Sequence, residues 1–204
     1  MNFTAAQERL IEKYRYINVD YHGWWEWTLD DFVRVAKLFG VDVDEDDIQF
    51  RGFWSQGDGA SFTFIEHCSD IVDAFATLDV TKEFGPGPLT GYVLRFHNLA
   101  EAVFDACNPY AQITPEGRRV AEGMTITAKR VSGHYCHSGT VRASLEYEYA
   151  YDEDIDACPG LRARLEELGD EIDELVERIA DALYDALREE YEYLTSDEAV
   201  WETI

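Results

Sequence analysis

An aspartate and two histidines in glycine-rich surroundings are the side chains best suited to catalysis in this sequence. They are Asp58, in the run GDGA, and His134 and His137, in the run GHYCHSG. A carboxylate and two imidazoles can together ligate a divalent metal, and one imidazole can act as a general base. Positions 134 and 137 point to opposite faces of a regular strand, so shared ligation requires the segment to curl; the alternative is turn histidines bonded to carbonyl groups. The set predicts a metal-dependent hydrolase or nucleotide-modifying enzyme as one alternative function.

The run FWSQGDGA at residues 53–60 combines two aromatic residues with a glycine-rich turn. Its candidate site residues are Trp54, Ser55, Gln56 and Asp58. On the structural interpretation, the glycines supply positive φ and the polar side chains bond the turn's own backbone. On the functional one, they form a loop site at a sheet edge that binds a ligand or the backbone of a partner. No phosphate-binding loop, Rossmann glycine pattern, HExxH or GxSxG occurs, so no cofactor and no dedicated metal site are predicted.

Acidic side chains recur every three or four residues near the C-terminus, and on a helix they form stripes along the surface. Carboxylates one helical turn apart lie about 5.4 Å apart, close enough to engage a basic groove that binds phosphates. A solvated helix face is the alternative. This stripe and an acidic loop nearer the N-terminus predict the partner-binding residues Asp44, Glu45, Asp46, Asp47, Glu167, Asp170, Glu171, Glu174, Glu177, Asp181 and Asp185.

The sequence as a whole is strongly acidic. Its 204 residues include 42 Asp and Glu against 17 Lys and Arg, which gives a net charge of −25. That charge disfavours direct binding to nucleic acid and favours a basic protein partner. Only four of the cations are lysines. A salt-adapted or high-GC genome would produce the same pattern without a functional reason.

Composition and hydropathy predict a folded protein in the cytoplasm. Hydrophobic residues make up 46% of the chain and aromatic residues 14%, enough apolar surface for one well-packed core. No run of 18 apolar residues and no signal peptide is visible, so a membrane partner is not expected. The four cysteines form no CxxC pair, and we expect reduced thiols that pack in the interior.

Hydrophobic periodicity predicts an α+β fold with an antiparallel four-stranded sheet packed with helices. The predicted strands cover residues 48–54, 61–65, 125–131 and 140–150. Helices are predicted around them, with starts indicated by a capping box of Thr4 and Gln7, by Thr28 and Asp31, by Ser69, and by Thr114 followed by Pro115. The Trp-rich run at residues 24–27 leads into the second of these helices. That run predicts core packing at a helix start, or a patch that binds a protein partner.

Beyond the sheet, leucine and isoleucine recur at alternating spacings of four and three, at Leu161, Leu165, Leu168, Ile172, Leu175 and Ile179. This seam predicts a long acidic C-terminal helix or helix pair. The chain is therefore divided into an α+β domain at residues 1–156 and an acidic helical segment at residues 157–204. The segment packs on the domain or extends from it.

The run FWSQGDGASF, with the Trp-rich helix before it and the GHYCHSG turn after it, resembles a family of small tailed-bacteriophage proteins. Members of this family are mostly uncharacterised and are sometimes labelled antitoxin-like. The resemblance covers about residues 1–150 and brings no catalytic residues. It implies a phage or prophage origin and a location in the host cytoplasm.

Acidity and resemblance together predict a phage-encoded acidic inhibitor, or DNA-mimic decoy. Its partner would be a basic nucleic-acid-binding host protein of the restriction or CRISPR type, bound in its nucleic-acid channel. Direct binding to nucleic acid or membrane is not expected, and a homodimer is compatible with the sequence. The second alternative is an antitoxin-like protein-binding module that uses the helical seam, which requires the seam to be exposed.

Overall fold

The computed structural model describes residues 3–21, 23–111, 114–131, 133, 135–147 and 152–204. Within these ranges the chain forms nine α-helices and five β-strands. The helices are α1 (Ala5–Tyr14), α2 (Glu26–Leu38), α3 (Cys68–Thr77), α4 (Val80–Phe84), α5 (Gly91–Ala111), α6 (Pro115–Gly123), α7 (Asp152–Ala157), α8 (Leu161–Leu194) and α9 (Asp197–Thr203). The strands are β1 (Gln49–Arg51), β2 (Gly59–Ser61), β3 (Phe64–His67), β4 (Met124–Arg130) and β5 (Val141–Tyr147).

The strands form two separate antiparallel sheets. β1 and β2 pair as a short hairpin, with Phe50 opposite Ala60. The second sheet has the order β3-β4-β5, with Ile126 of β4 opposite both Glu66 and Leu145. The α+β class agrees with the sequence prediction, but the prediction of one four-stranded sheet is wrong.

The division into two sheets follows from the short segment between β2 and β3. Phe62 is fully buried there, and its ring lies 5.3 Å from that of Phe32 in α2. The chain leaves the first sheet at Ser61 and enters the second at Phe64, so the two strands on either side of Phe62 never share a partner. The pattern of residues 61–65, which predicts one strand, does not reveal this change of direction. Residues 148–150, which were predicted to extend β5, lie outside the described residues.

The C-terminal acidic region contains one long helix. α8 runs through Gly169, so that glycine does not end the helix. At about 1.5 Å per residue the helix is about 50 Å long. It packs against α5 and β5, and its apolar side chains belong to the same buried cluster as residues of α2 and α5.

The predicted apolar seam of α8 is part of this core. Ile172 and Ile179 are fully buried and Leu165 is 6% exposed. Burial of these side chains within the chain leaves no exposed seam for an antitoxin-like partner.

Two of the four predicted capping signals, those at Thr4 and Thr114, are confirmed. The predicted caps Thr28 and Ser69 are wrong, because α2 already begins at Glu26 and α3 at Cys68, with no side-chain cap on either helix in the described part of the chain. Thr4 and Gln7 form the predicted capping box of α1, and the hydroxyl of Thr114 accepts a hydrogen bond from the N–H of Gly117 at the start of α6. None of the described helices combines the length and the apolar composition that crossing a bilayer requires.

Candidate functional site

The two glycine-rich turns lie against each other. Gly57, at φ +93°, packs its Cα on the ring of Tyr135, where a Cβ would lie 2.5 Å from a ring carbon. A Cβ on Gly59 would overlap the Cα of His137. Glycine is therefore required at both positions for contact between the turns. The sequence leaves open whether the two turns meet, and the fold brings them into contact.

Asp58 holds the first turn in shape. Its Oδ2 atom accepts hydrogen bonds from the backbone N–H of Trp54, at 2.8 Å, and of Ser55, at 2.5 Å. A side chain that bonds the backbone a few residues away is typical of an aspartate in a turn. The carboxylate is half-buried and engaged in the turn, while Ser55 and Gln56 are exposed at its tip.

The histidines of the second turn do not complete a metal site in the described part of the chain. The carbonyl group of His137 accepts hydrogen bonds from the N–H and the hydroxyl of Thr140, at 2.8 and 2.6 Å. His134 lies outside the described residues. Among the residues that are described, no three His, Cys, Asp or Glu side chains are grouped closely enough to hold a metal ion. The four cysteines are free and buried.

Aromatic packing attaches the first turn to α8. The ring of Phe53 lies 5.6 Å from that of Tyr184 and 5.1 Å from that of Tyr191. Burial raises the pKa of both tyrosines, and the negative charge of Asp58 raises that of Tyr184 further. Both phenols therefore stay neutral at physiological pH. The ring contacts attach the turn to α8, the helix with the densest acidic charge.

Two tryptophans are largely exposed to solvent. Trp54, beside the anchored Phe53, is 74% exposed, and Trp27, in the first turn of α2, is 85% exposed. Trp24 of the same Trp-rich run is buried and packs its ring on Phe53 at 6.1 Å. The run at residues 24–27 therefore contributes both to the core and to the surface.

The outer face of α8 carries the predicted acidic stripe, and its members differ in their partners. Three are paired with arginines: Glu174 with Arg178, Glu177 with Arg142, and Asp185 with Arg188. The others are exposed and have no cation within 4 Å among the described residues. These four are Glu167, Asp170, Glu171 and Asp181, and we call them the unpaired carboxylates.

The predicted acidic loop lies elsewhere on the surface. Asp44 accepts a hydrogen bond from the N–H of Asp46 at 3.0 Å and begins a single 3-10 turn that includes Glu45 and Asp47. All four residues are exposed. Three of them, Asp44, Glu45 and Asp47, line a groove of about 650 Å³ beside β3, and Lys129 also lines it. The loop packs near α2, and α8 packs on α5 and β5.

The sequence did not identify the residues that join β5 and the first turn to α8. Arg142 of β5 bridges to Glu177 and Asp173 of α8, and Asp173 in turn accepts a hydrogen bond from the N–H of Ala143 at 2.8 Å. Tyr184 and Tyr191, the anchors of the first turn, are seven residues apart and lie on one side of the helix. That spacing was the only signal in the sequence from which they could have been found.

Comparison with known protein families identifies one family whose model matches this chain. The family model described as Domain of unknown function (DUF8835) matches residues 24–197, most of the chain. Neither the curated proteins nor the solved structures contain a match.

Proposed function

The chain belongs to the DUF8835 family, and we propose that it is a non-enzymatic acidic protein whose α8 face occupies the basic nucleic-acid channel of another protein. The target would be a basic nucleic-acid-binding host protein, with restriction and CRISPR-type defence proteins as the expected class. One observation carries the proposal. Four of the seven carboxylates in the acidic stripe of α8, the unpaired carboxylates, are exposed and have no cationic partner among the described residues.

The charge density of α8 supports mimicry of a nucleic-acid strand. Between Glu166 and Glu192 the helix carries twelve carboxylates and two arginines. At about 1.5 Å per residue this segment spans about 39 Å, so it has about one net negative charge every 4 Å. One strand of B-DNA carries one charge every 3.4 Å or so. A channel that binds a phosphate strand would meet a similar charge spacing on this helix.

The unpaired carboxylates also suit competition by simple electrostatics. They stand on a rigid helix, so they need little reorganisation to meet lysine and arginine side chains of a partner. Like charges three or four residues apart destabilise a helix by a few tenths of a kcal/mol per pair. Binding to a cationic surface would remove that repulsion.

The enzyme alternative has less support. Its proposed ligand Asp58 is engaged by two backbone N–H groups, and the described residues include no group of three His, Cys, Asp or Glu side chains that could hold a metal ion. We therefore do not propose catalysis at the two turns.

The test is affinity capture with charge-matched variants. The four-carboxylate variant combines Glu167→Gln, Asp170→Asn, Glu171→Gln and Asp181→Asn. The matched variant neutralises four other exposed acids by Glu8→Gln, Asp20→Asn, Asp30→Asn and Glu83→Gln. Both variants have the same net charge, so a difference between them reports position on the surface.

Immobilised wild type should retain nucleic-acid-binding proteins from a nuclease-treated host lysate at about 0.1 M KCl and release them at about 1 M, because the Debye length falls from about 10 Å to about 3 Å. The matched variant should retain the same proteins, and the four-carboxylate variant should not. The proposal fails if no nucleic-acid-binding protein is retained, if retention ignores salt, or if the two variants behave alike.

A further inference from the structure

The side chain of Trp54 is exposed to solvent, while the turn that carries it contacts several other parts of the chain. Its backbone N–H donates to Asp58, its neighbour Phe53 stacks on Tyr184, and Gly57 of the same turn packs on Tyr135. The indole itself remains 74% exposed. A rigid, exposed aromatic side chain loses little conformational entropy when a partner covers it, which is why tryptophan is frequent among residues that dominate binding energy.

The position of this indole links it to the acidic face of α8. Phe53 packs on Tyr184, which lies between Asp181 and Asp185 in the helix sequence. Asp181 is one of the unpaired carboxylates, and Asp185 is exposed beside Arg188. The turn that presents Trp54 therefore borders the surface that carries the proposed function.

We propose that Trp54 binds an arginine or lysine side chain of the basic partner by a cation–π contact and so gives the acidic face of α8 a specific anchor. This inference rests on the proposed function and names a contact within it. Trp54 supplies the aromatic face, and the neighbouring carboxylates attract the same cation.

Charge complementarity decides which kind of occupant fits. A face of strongly negative potential concentrates cations near the turn, and the face of tryptophan is the strongest cation–π partner among the aromatic side chains. A purely apolar pocket of a partner would bury the same indole but would gain nothing from the carboxylates beside it. A substitution at position 54 that replaces the aromatic ring with an apolar, non-aromatic side chain distinguishes the two cases. It should weaken binding of a cation and have less effect on binding in an apolar pocket.

The experiment measures binding of a nona-arginine peptide by calorimetry at about 0.1 M KCl. Trp54→Leu removes the π face and keeps an apolar side chain, while Trp54→Phe keeps a weaker π face. Trp27→Leu is the matched control, because it removes another largely exposed indole, from the start of α2. Thermal denaturation confirms that each variant is folded, and the four-carboxylate variant is measured in the same series.

The dissociation constant should rise about two- to fivefold for Trp54→Leu, the range expected of an exposed cation–π contact, and by less for Trp54→Phe. Trp27→Leu should match wild type. The inference is overturned if Trp54→Leu binds as tightly as Trp27→Leu, or if Phe and Leu at position 54 behave alike. The proposed function survives that result as long as the four-carboxylate variant binds more weakly. A wild-type chain that does not bind nona-arginine overturns both.

Discussion

Gly59 of the first turn lies directly against the Cα of His137 in the second, with no space for a side chain between them. Its φ is not in the left-handed region, so the requirement for glycine here is one of space. The contact joins a residue of β2 to the loop before β5. These elements belong to different sheets, and the turns hold them together.

Gly59→Ala should therefore destabilise the fold by about 1–3 kcal/mol, the usual result of forcing an extra carbon into a packed contact with backbone. Urea denaturation measures the loss. Gly87→Ala is the control, because a Cβ at Gly87 meets nothing within 4 Å, and its stability should change by less than about 0.5 kcal/mol. Equal stability of the two variants would show that the turns are not in close contact.

Asp58 should matter for stability rather than for chemistry. Asp58→Ala leaves the backbone N–H groups of Trp54 and Ser55 without their acceptor, and hydrogen bonds to a charged group contribute about 1.5–3 kcal/mol. Asp58→Asn keeps an acceptor oxygen and should recover part of the loss. Chemical denaturation provides the comparison.

Asp46→Ala is the control for this series, since Asp46 is exposed and its backbone N–H, not its carboxylate, makes the described hydrogen bond. If Asp58→Ala proves as stable as Asp46→Ala, the Asp58 carboxylate is available for a ligand and the enzyme alternative regains its main residue.

Glu66 should make stability depend on pH. Burial raises the pKa of its carboxyl group, although the N–H of Asp42 donates to it at 3.0 Å. The folded state then binds its proton more tightly than the unfolded state, so stability decreases as pH rises from the unfolded value of about 4.3 through the folded one.

Glu66→Gln keeps the acceptor and removes the charge. It should melt at a higher temperature than wild type at pH 7, and the difference should vanish below about pH 4, where Glu66 is protonated in both states. Thermal melts across this range measure the difference, with Glu83→Gln as the exposed control. A variant less stable than wild type at pH 7 would contradict the assigned direction.

The unpaired carboxylates should lower stability at low salt. Repulsion of a few tenths of a kcal/mol per pair, summed over their neighbours on α8, predicts that the four-carboxylate variant is about 1 kcal/mol more stable than wild type. Added salt should reduce this gap. Urea denaturation in about 0.1 M and about 1 M KCl measures it. A matched variant that gains as much would indicate that only the total charge matters.

Rules that act over a few residues predicted parts of the fold correctly. The capping box of Thr4 and Gln7 and the Thr114-Pro115 start of α6 are of this kind, because the atoms that decide them are adjacent in the chain. The Glu174–Arg178 pair is equally local, since residues four apart are neighbours on a helix.

The remaining features depend on contacts between distant parts of the chain. Burial of Phe62 against Phe32 separates the two sheets, and no alternation of hydrophobic residues encodes that contact. The ion pair of Arg142 with Glu177 decides which carboxylates of α8 are neutralised, and it depends on how β5 packs on the helix. The acidic stripe was therefore predictable, but its unpaired members were not.

The central claim is that the outer face of α8 takes the place of a nucleic-acid strand, and competition tests it most directly. A fluorescently labelled DNA duplex is bound to the protein that the wild-type chain captures, and its anisotropy is followed as unlabelled chain is added. We predict that wild type and the matched variant release the duplex, while the four-carboxylate variant requires about tenfold more protein, a difference of about 1.4 kcal/mol. If the captured protein binds the chain and the duplex at the same time, the claim is contradicted.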